Sequence, residues 1–137
     1  MWWIYALFSA LFAALTAIFA KIGIKGVDTD LATAIRTVII LVLAWALVFI
    51  KGSNNTLHTL TKTNWTFLIL SGFATGLSWI CYFKALQIGK VNQVAPVDKL
   101  SVAIAIVLAA AFLGETITVK TAIAAVLIVS GTLVLIF

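Results

Sequence analysis

The chain has 137 residues, of which 64% are hydrophobic and only 9% are charged. A soluble domain carries about 25% charged residues, so this composition excludes a soluble globular protein and predicts a single domain embedded in lipid. The net charge of +5 comes from nine Lys and Arg residues that are scattered singly between apolar runs. We therefore expect the lipid bilayer as a partner and no nucleic acid.

Five apolar stretches are each long enough to cross a membrane as a helix. A span needs about 20 mainly apolar residues, because each adds about 1.5 Å toward crossing a core about 30 Å thick. Membrane-spanning β-strands would be half as long and would alternate between apolar and polar residues, which these stretches do not. We predict an all-α membrane protein, a bundle of five transmembrane helices at about residues 2–20, 31–50, 65–83, 94–113 and 119–137.

The first helix has no positively charged segment before it, so we expect it to be retained rather than cleaved as a signal peptide. Trp2 and Trp3 lie at its start, where aromatic rings anchor a span in the headgroup region. In helix three, Gly72 and Gly76 have the four-residue spacing that lets helices approach closely. We favour internal bundle packing over a subunit contact at these two glycines.

Polar residues in the connectors predict where helices begin. Asp28, Thr29 and Asp30 offer side-chain acceptors to the free N–H groups that begin helix two. Thr63 and Asn64 precede helix three in the same way, and Thr116 or Thr118 can cap helix five. Pro96 fits the first turn of helix four, where its missing N–H is no loss. If helix four instead begins near Asn92, Pro96 falls in the first turn or just after it.

Several ionisable and aromatic residues lie inside or at the ends of the spans, where polar groups are costly and usually face a cavity or a partner. Helix two begins on the side of the membrane where helix three ends and helix four begins, so their polar positions come to similar depth. We predict that these residues contact a substrate: Arg36, Trp79, Tyr82, Lys84, Asp98 and Lys99.

Each of these charged groups also has a purely structural explanation. Lys84 at the end of helix three, and Arg36 in helix two, can extend their charged ends toward the headgroups. Asp98 can form a local pair with Lys99. Because adjacent residues of a helix point about 100° apart, we favour pairing of Asp98 with Arg36 or Lys84.

Catalytic and metal-binding patterns are absent from the sequence. The single cysteine, Cys81, excludes an intrachain disulfide and any multi-cysteine metal site. No nucleophile, metal-ligand cluster or phosphate-binding loop is found. We therefore predict that the protein is not an enzyme and needs no metal and no cofactor.

The segment from Tyr82 to Ser101 reads YFKALQIGKVNQVAPVDKLS, and FLGE ends helix four. These segments resemble the EamA domain of the drug/metabolite transporter superfamily. In that family an aromatic-plus-Ala-Leu stretch ends helix three, a short Gly-containing polar loop follows, and a proline starts helix four. Pro96, Gly114 and Glu115 fall on these structural motifs, and the resemblance covers essentially the whole chain.

The resemblance implies a transporter. Many members of the superfamily carry ten helices as two five-helix halves of opposite topology, and this chain resembles the shorter, five-helix group. It lacks the membrane-embedded Glu in helix one of the small multidrug-resistance proteins, so their mode of proton-coupled export is not expected. We expect a multi-pass subunit in a prokaryotic inner membrane that moves a small metabolite or drug-like solute. The alternative is a non-transporting membrane helper of another protein.

The distribution of basic residues predicts topology and assembly. The side of the membrane that holds loops one and three and the C-terminus is the more basic, which favours an outside N-terminus and a cytoplasmic C-terminus. The bias is small, so the partner is a second copy in an antiparallel homodimer, which we favour, or a related five-helix subunit. The solute class stays open, because arginine suits an anion or zwitterion whereas aromatic rings suit stacking or a cation.

Overall fold

The computed structural model describes residues 1–137, and its regular elements are all helical. α4 and α5 together make one span, so five segments are long and apolar enough to cross a membrane, as predicted. The elements in order are α1 (Trp2–Gly23), α2 (Thr29–Ile50), a 3-10 helix (Ser53–Thr59), α3 (Lys62–Ile88), α4 (Val91–Asp98), α5 (Leu100–Leu113) and α6 (Val119–Ile136).

Two helices continue past the lysine at which the sequence predicted their end. α1 runs to Gly23 instead of residue 20, and α3 runs to Ile88 instead of residue 83. A lysine ends an apolar stretch but not a helix, because it is a good helix former. Lys84 therefore lies one turn inside α3 rather than at its end. The chain leaves α1 through a turn in which Gly26 has a φ of 76°, a conformation that favours glycine.

Side-chain caps begin three of the helices. The Oδ1 atom of Asp28 accepts two backbone N–H groups from the first turn of α2, both at 3.0 Å, which confirms the predicted cap. Thr118 accepts an N–H of α6 at 3.2 Å, also as predicted. The cap of α3 is Thr61, which accepts the N–H of Asn64 at 3.2 Å. The prediction of Thr63 and Asn64 was wrong because the helix begins earlier.

The chain divides into two compact units. The central unit is Phe19–Gln87, and the terminal unit combines Met1–Ile18 with Ile88–Phe137. In the central unit the buried residues gather where α1 ends, α2 begins and α3 ends. They are Ala20, Ile24, Thr29, Thr33, Phe83 and Leu86.

In the terminal unit, α5 and α6 are neighbours joined by a short turn. Gly114 follows α5 with a φ of 69°. The N–H groups of Gly114 and Glu115 both bond back to the carbonyl of Ala109, that of Glu115 at 3.3 Å. The motif residues Gly114 and Glu115 thus lie at the turn that ends α5.

The spans are covered with exposed apolar side chains. In the most apolar stretch of each span at most 11% of the residues are buried. Exposing so many apolar side chains is unfavourable in water but not in contact with acyl chains. The protein is therefore a multi-pass membrane protein. A Cβ atom added to Gly72 or Gly76 would meet nothing within 4 Å, so neither glycine packs closely against another element of the central unit.

Candidate functional site

The first polar group lies in the central unit, on one face of α2. Thr29 and Thr33 are buried there, each 7% exposed. The hydroxyl of Thr33 donates to the carbonyl of Thr29 at 2.8 Å, so its own helix satisfies it. Arg36 follows on the same face, at the eighth position of α2. At 1.5 Å per residue the arginine lies about 10 Å from the start of the helix, well inside the span.

Aromatic rings of α3 hold the guanidinium group of Arg36. Its Cζ atom lies 4.3 Å from the ring centroid of Phe83 and 5.1 Å from that of Trp79. These two aromatic residues are four apart, so they share a helix face. Tyr82 packs edge-on against Phe83 with their centroids 5.8 Å apart. Cation–π contacts of this kind contribute about 2 kcal/mol when water is excluded.

One nitrogen of this arginine, Nη1, is buried and has no hydrogen-bond partner. A buried donor without an acceptor costs about 1–3 kcal/mol. The rings stabilise the positive charge, but they do not replace the oxygen acceptor that an N–H group requires. Arg36 therefore retains a capacity to donate hydrogen bonds that its surroundings leave unused.

The end of α1 and the following connector fix the end of α3. The ammonium group of Lys21 donates to the carbonyls of Leu86 and Gln87, which lie at the helix end where no further N–H is available. The side-chain amide of Gln87 donates to the carbonyl of Val27 at 3.0 Å. These bonds position Phe83, one turn earlier, against the arginine.

The second polar group lies in the terminal unit, where the fourth span is broken. Pro96 is the sixth residue of α4, just after its first turn, as expected for a helix that begins near Asn92. A proline inside a helix removes one backbone hydrogen bond, and α4 ends two residues later. The N–H of Lys99 bonds to the Pro96 carbonyl at 3.0 Å in a tight turn. Thr132 of α6, only 4% exposed, donates to the same carbonyl at 3.4 Å.

Two charged residues flank this break. The Nζ atom of Lys99 lies 3.5 Å from Oδ2 of Asp98, and their side chains are 56% and 37% exposed. The sequence favours a partner on another helix for Asp98, because neighbours in a regular helix diverge by about 100°. The local pair forms despite that divergence, at the residue where α4 passes into α5. An ion pair this exposed contributes little to stability, so both groups remain available for other contacts.

The structure brings together three of the six predicted site residues in the central unit: Arg36, Trp79 and Tyr82. Lys84, the fourth, is exposed on the neighbouring face of α3. Asp98 and Lys99 form their pair in the terminal unit. The sequence reasoning missed Phe83, whose ring is nearest to the guanidinium. Its four-residue spacing from Trp79 was the signal that could have identified it.

Known proteins support a membrane transport role. The EamA-like transporter family matches residues 1–137. A protein of Sinorhizobium sp named "Uncharacterized transporter in cobO 3'region" is 43% identical over 134 residues, which cover 98% of this chain and 95% of that protein. That relative is therefore of about the same length. No solved structure matches the chain.

Proposed function

The chain belongs to the EamA-like transporter family, and from this premise we propose that it is a subunit that moves a small metabolite or drug-like solute across a prokaryotic inner membrane. The observation that carries the proposal is Arg36, a charged group inside a span with a buried nitrogen that lacks a partner. Charged residues inside spans are costly, and they mark the pathways of solutes and ions.

The broken fourth span supports the same proposal. Transporters build their sites at helix interruptions, where side chains can contact a solute inside the span. Asp98 and Lys99 lie at such an interruption. The proposed substrate-contacting residues are thus Arg36, Trp79, Tyr82 and Lys84 in the central unit, and Asp98 and Lys99 in the terminal unit, each group contacting the solute at some stage of transport.

We further propose that the protein works as a dimer. The common transporter plan uses two inverted repeats, and five spans supply one of them. The Sinorhizobium relative, matched over 95% of its length, is consistent with a family branch built from single repeats. An antiparallel homodimer would complete the plan with one gene product, and an oppositely oriented relative is the other possible partner.

Transport by the isolated protein is the direct test. The purified chain is reconstituted into sealed vesicles with no other protein, and uptake is measured for labelled solutes chosen by a thermal-shift screen. Uptake that requires the protein and saturates with solute concentration is the expected result. Folded protein that binds solutes but moves none across the vesicle membrane would instead favour the non-transporting helper function.

Topology is tested separately by fusing the C-terminus to reporters that work on only one side of the membrane. Signal on both sides is the result expected for dual insertion and an antiparallel homodimer. Signal only from the cytoplasmic reporter would point to a related subunit as the partner. Signal only from the external reporter would show that the count of basic residues misled us.

A further inference from the structure

We infer that the solute is a small organic anion, which Arg36 binds through the carboxylate or phosphate oxygens. This inference rests on the proposed transport function and deepens it. The sequence left the solute class open, because the arginine favours an anion whereas the nearby aromatic rings suit stacking or a cation. The contacts of the arginine in the central unit decide between these two classes.

The aromatic rings are already engaged by the protein's own cation. The Arg36 Cζ atom lies 4.3 Å from the Phe83 centroid and 5.1 Å from the Trp79 centroid. A cationic solute that stacked on these rings would have to displace the guanidinium and would be repelled by it. The rings therefore serve to hold the arginine, and the solute meets the arginine rather than the rings.

The group that has no partner at this site is a hydrogen-bond donor. A guanidinium group carries five N–H donors and no acceptor, and here Nη1 is buried without a partner. The planar fork of arginine matches the paired oxygens of a carboxylate or phosphate, with two parallel charge-assisted hydrogen bonds. A neutral amide offers only one oxygen, without the charge.

Within the central unit no carboxylate neutralises Arg36. Asp28 caps α2 and already accepts two backbone N–H groups. Asp30 precedes the arginine by six residues, which is about 9 Å along the axis and on a different helix face. An arginine inside a span without a counter-ion attracts an anion strongly, because the surrounding dielectric is low.

A basic cleft lies in the same unit as the arginine. An open cavity of about 550 Å³ is lined by Lys21 and Lys25 of the α1 end and by Gln87 of α3. Gln87 follows Phe83, the ring nearest the guanidinium, by one helical turn. Lysine charges that line a cleft raise the local concentration of anions, so this part of the central unit favours an anionic solute over a cationic one.

The test compares matched acids and amides on the purified full-length chain in nanodiscs of phosphatidylcholine. The probes are propionate against propionamide, benzoate against benzamide, inorganic phosphate, and tetramethylammonium as a cation. Binding is followed by tryptophan fluorescence, since Trp79 adjoins the arginine, and by thermal unfolding. We expect the acids or phosphate to bind and the amides and the cation not to. Equal binding of acid and amide, or binding of the cation alone, would overturn the inference without any mutation.

Substitutions assign the binding to the residue. Arg36→Gln should weaken acid binding at least about tenfold, because a charge-assisted pair contributes more than an ordinary hydrogen bond. Arg36→Lys keeps the charge without the fork and should weaken binding less. Lys120→Gln, which removes the same charge from an exposed residue of the terminal unit, is the matched control and should retain binding within a few-fold. Unchanged acid binding in Arg36→Gln would refute the assignment.

Two further arms separate the possible origins of the effect. Adding phosphatidylglycerol to the nanodiscs tests whether the bound anion is a lipid headgroup. If this lipid weakens the binding of soluble acids to wild type but has no such effect in Arg36→Gln, the site binds lipid phosphate instead of a solute. Sealed vesicles separate this inference from the proposed function. Acid binding without uptake would sink transport alone, whereas uptake of a cation that survives Arg36→Gln would sink the anion inference alone.

Discussion

Leu86→Ala tests whether the end of α3 contributes to a packed core in the central unit. Leu86 is fully buried, whereas Leu70 of the same helix is 56% exposed and serves as a control with the same substitution. In a soluble core such a truncation costs 2–5 kcal/mol, part for lost transfer from water and part for the cavity. Lipid is as apolar as leucine, so the transfer part largely vanishes, and about 1–2 kcal/mol is expected from packing alone.

The assay is reversible unfolding in mixed micelles with an increasing fraction of dodecyl sulfate, followed by tryptophan fluorescence and circular dichroism. The expected order of unfolding free energy is wild type equal to Leu70→Ala, with Leu86→Ala clearly lower. Equal free energies for the two variants would refute the reasoning, because the end of α3 would then not be a packed core. A large loss in Leu70→Ala would show that the exposed face of α3 contacts protein rather than lipid.

Three further predictions follow from the helix ends and the broken span. Gly114→Ala should lower the unfolding free energy by about 1 kcal/mol in the same micelle assay, because the left-handed backbone disfavours a Cβ. Gly131→Ala lies inside α6 with open space around it, so this substitution should raise the unfolding free energy by up to about 1 kcal/mol. Asp28→Ala removes the cap of α2 and should cost about 1 kcal/mol, which the same titration measures; no change would mean that the cap is dispensable in lipid. In sealed vesicles Asp98→Asn should reduce uptake more than Lys120→Gln, and activity equal to wild type in both variants would show that Asp98 is structural.

The sequence by itself determined the architecture. Apolar runs of about 20 residues can satisfy their backbone in lipid only as helices, so five spans could be counted without coordinates. The caps at Asp28 and Thr118 were equally predictable, because they depend on residues two or three positions away. The predicted helix ends were wrong where hydropathy and helix propensity disagree. Lysines ended the apolar runs early, although α1 and α3 continue through them.

The tertiary structure decided what the polar residues do. The sequence identified candidate site residues, because polar side chains inside a span cost free energy. That Arg36, Trp79 and Tyr82 lie together, however, depends on how α2 and α3 pack. Contacts distant in sequence, such as those of Lys21 and Gln87 with the backbone, position the end of α3 that carries these aromatic residues. The same holds for the break at Lys99, where a proline inside the helix and a threonine of α6 meet. Insertion into lipid follows from composition, which can be read directly from the sequence. The orientation of one guanidinium group follows from packing between helices, which no single segment of the sequence determines.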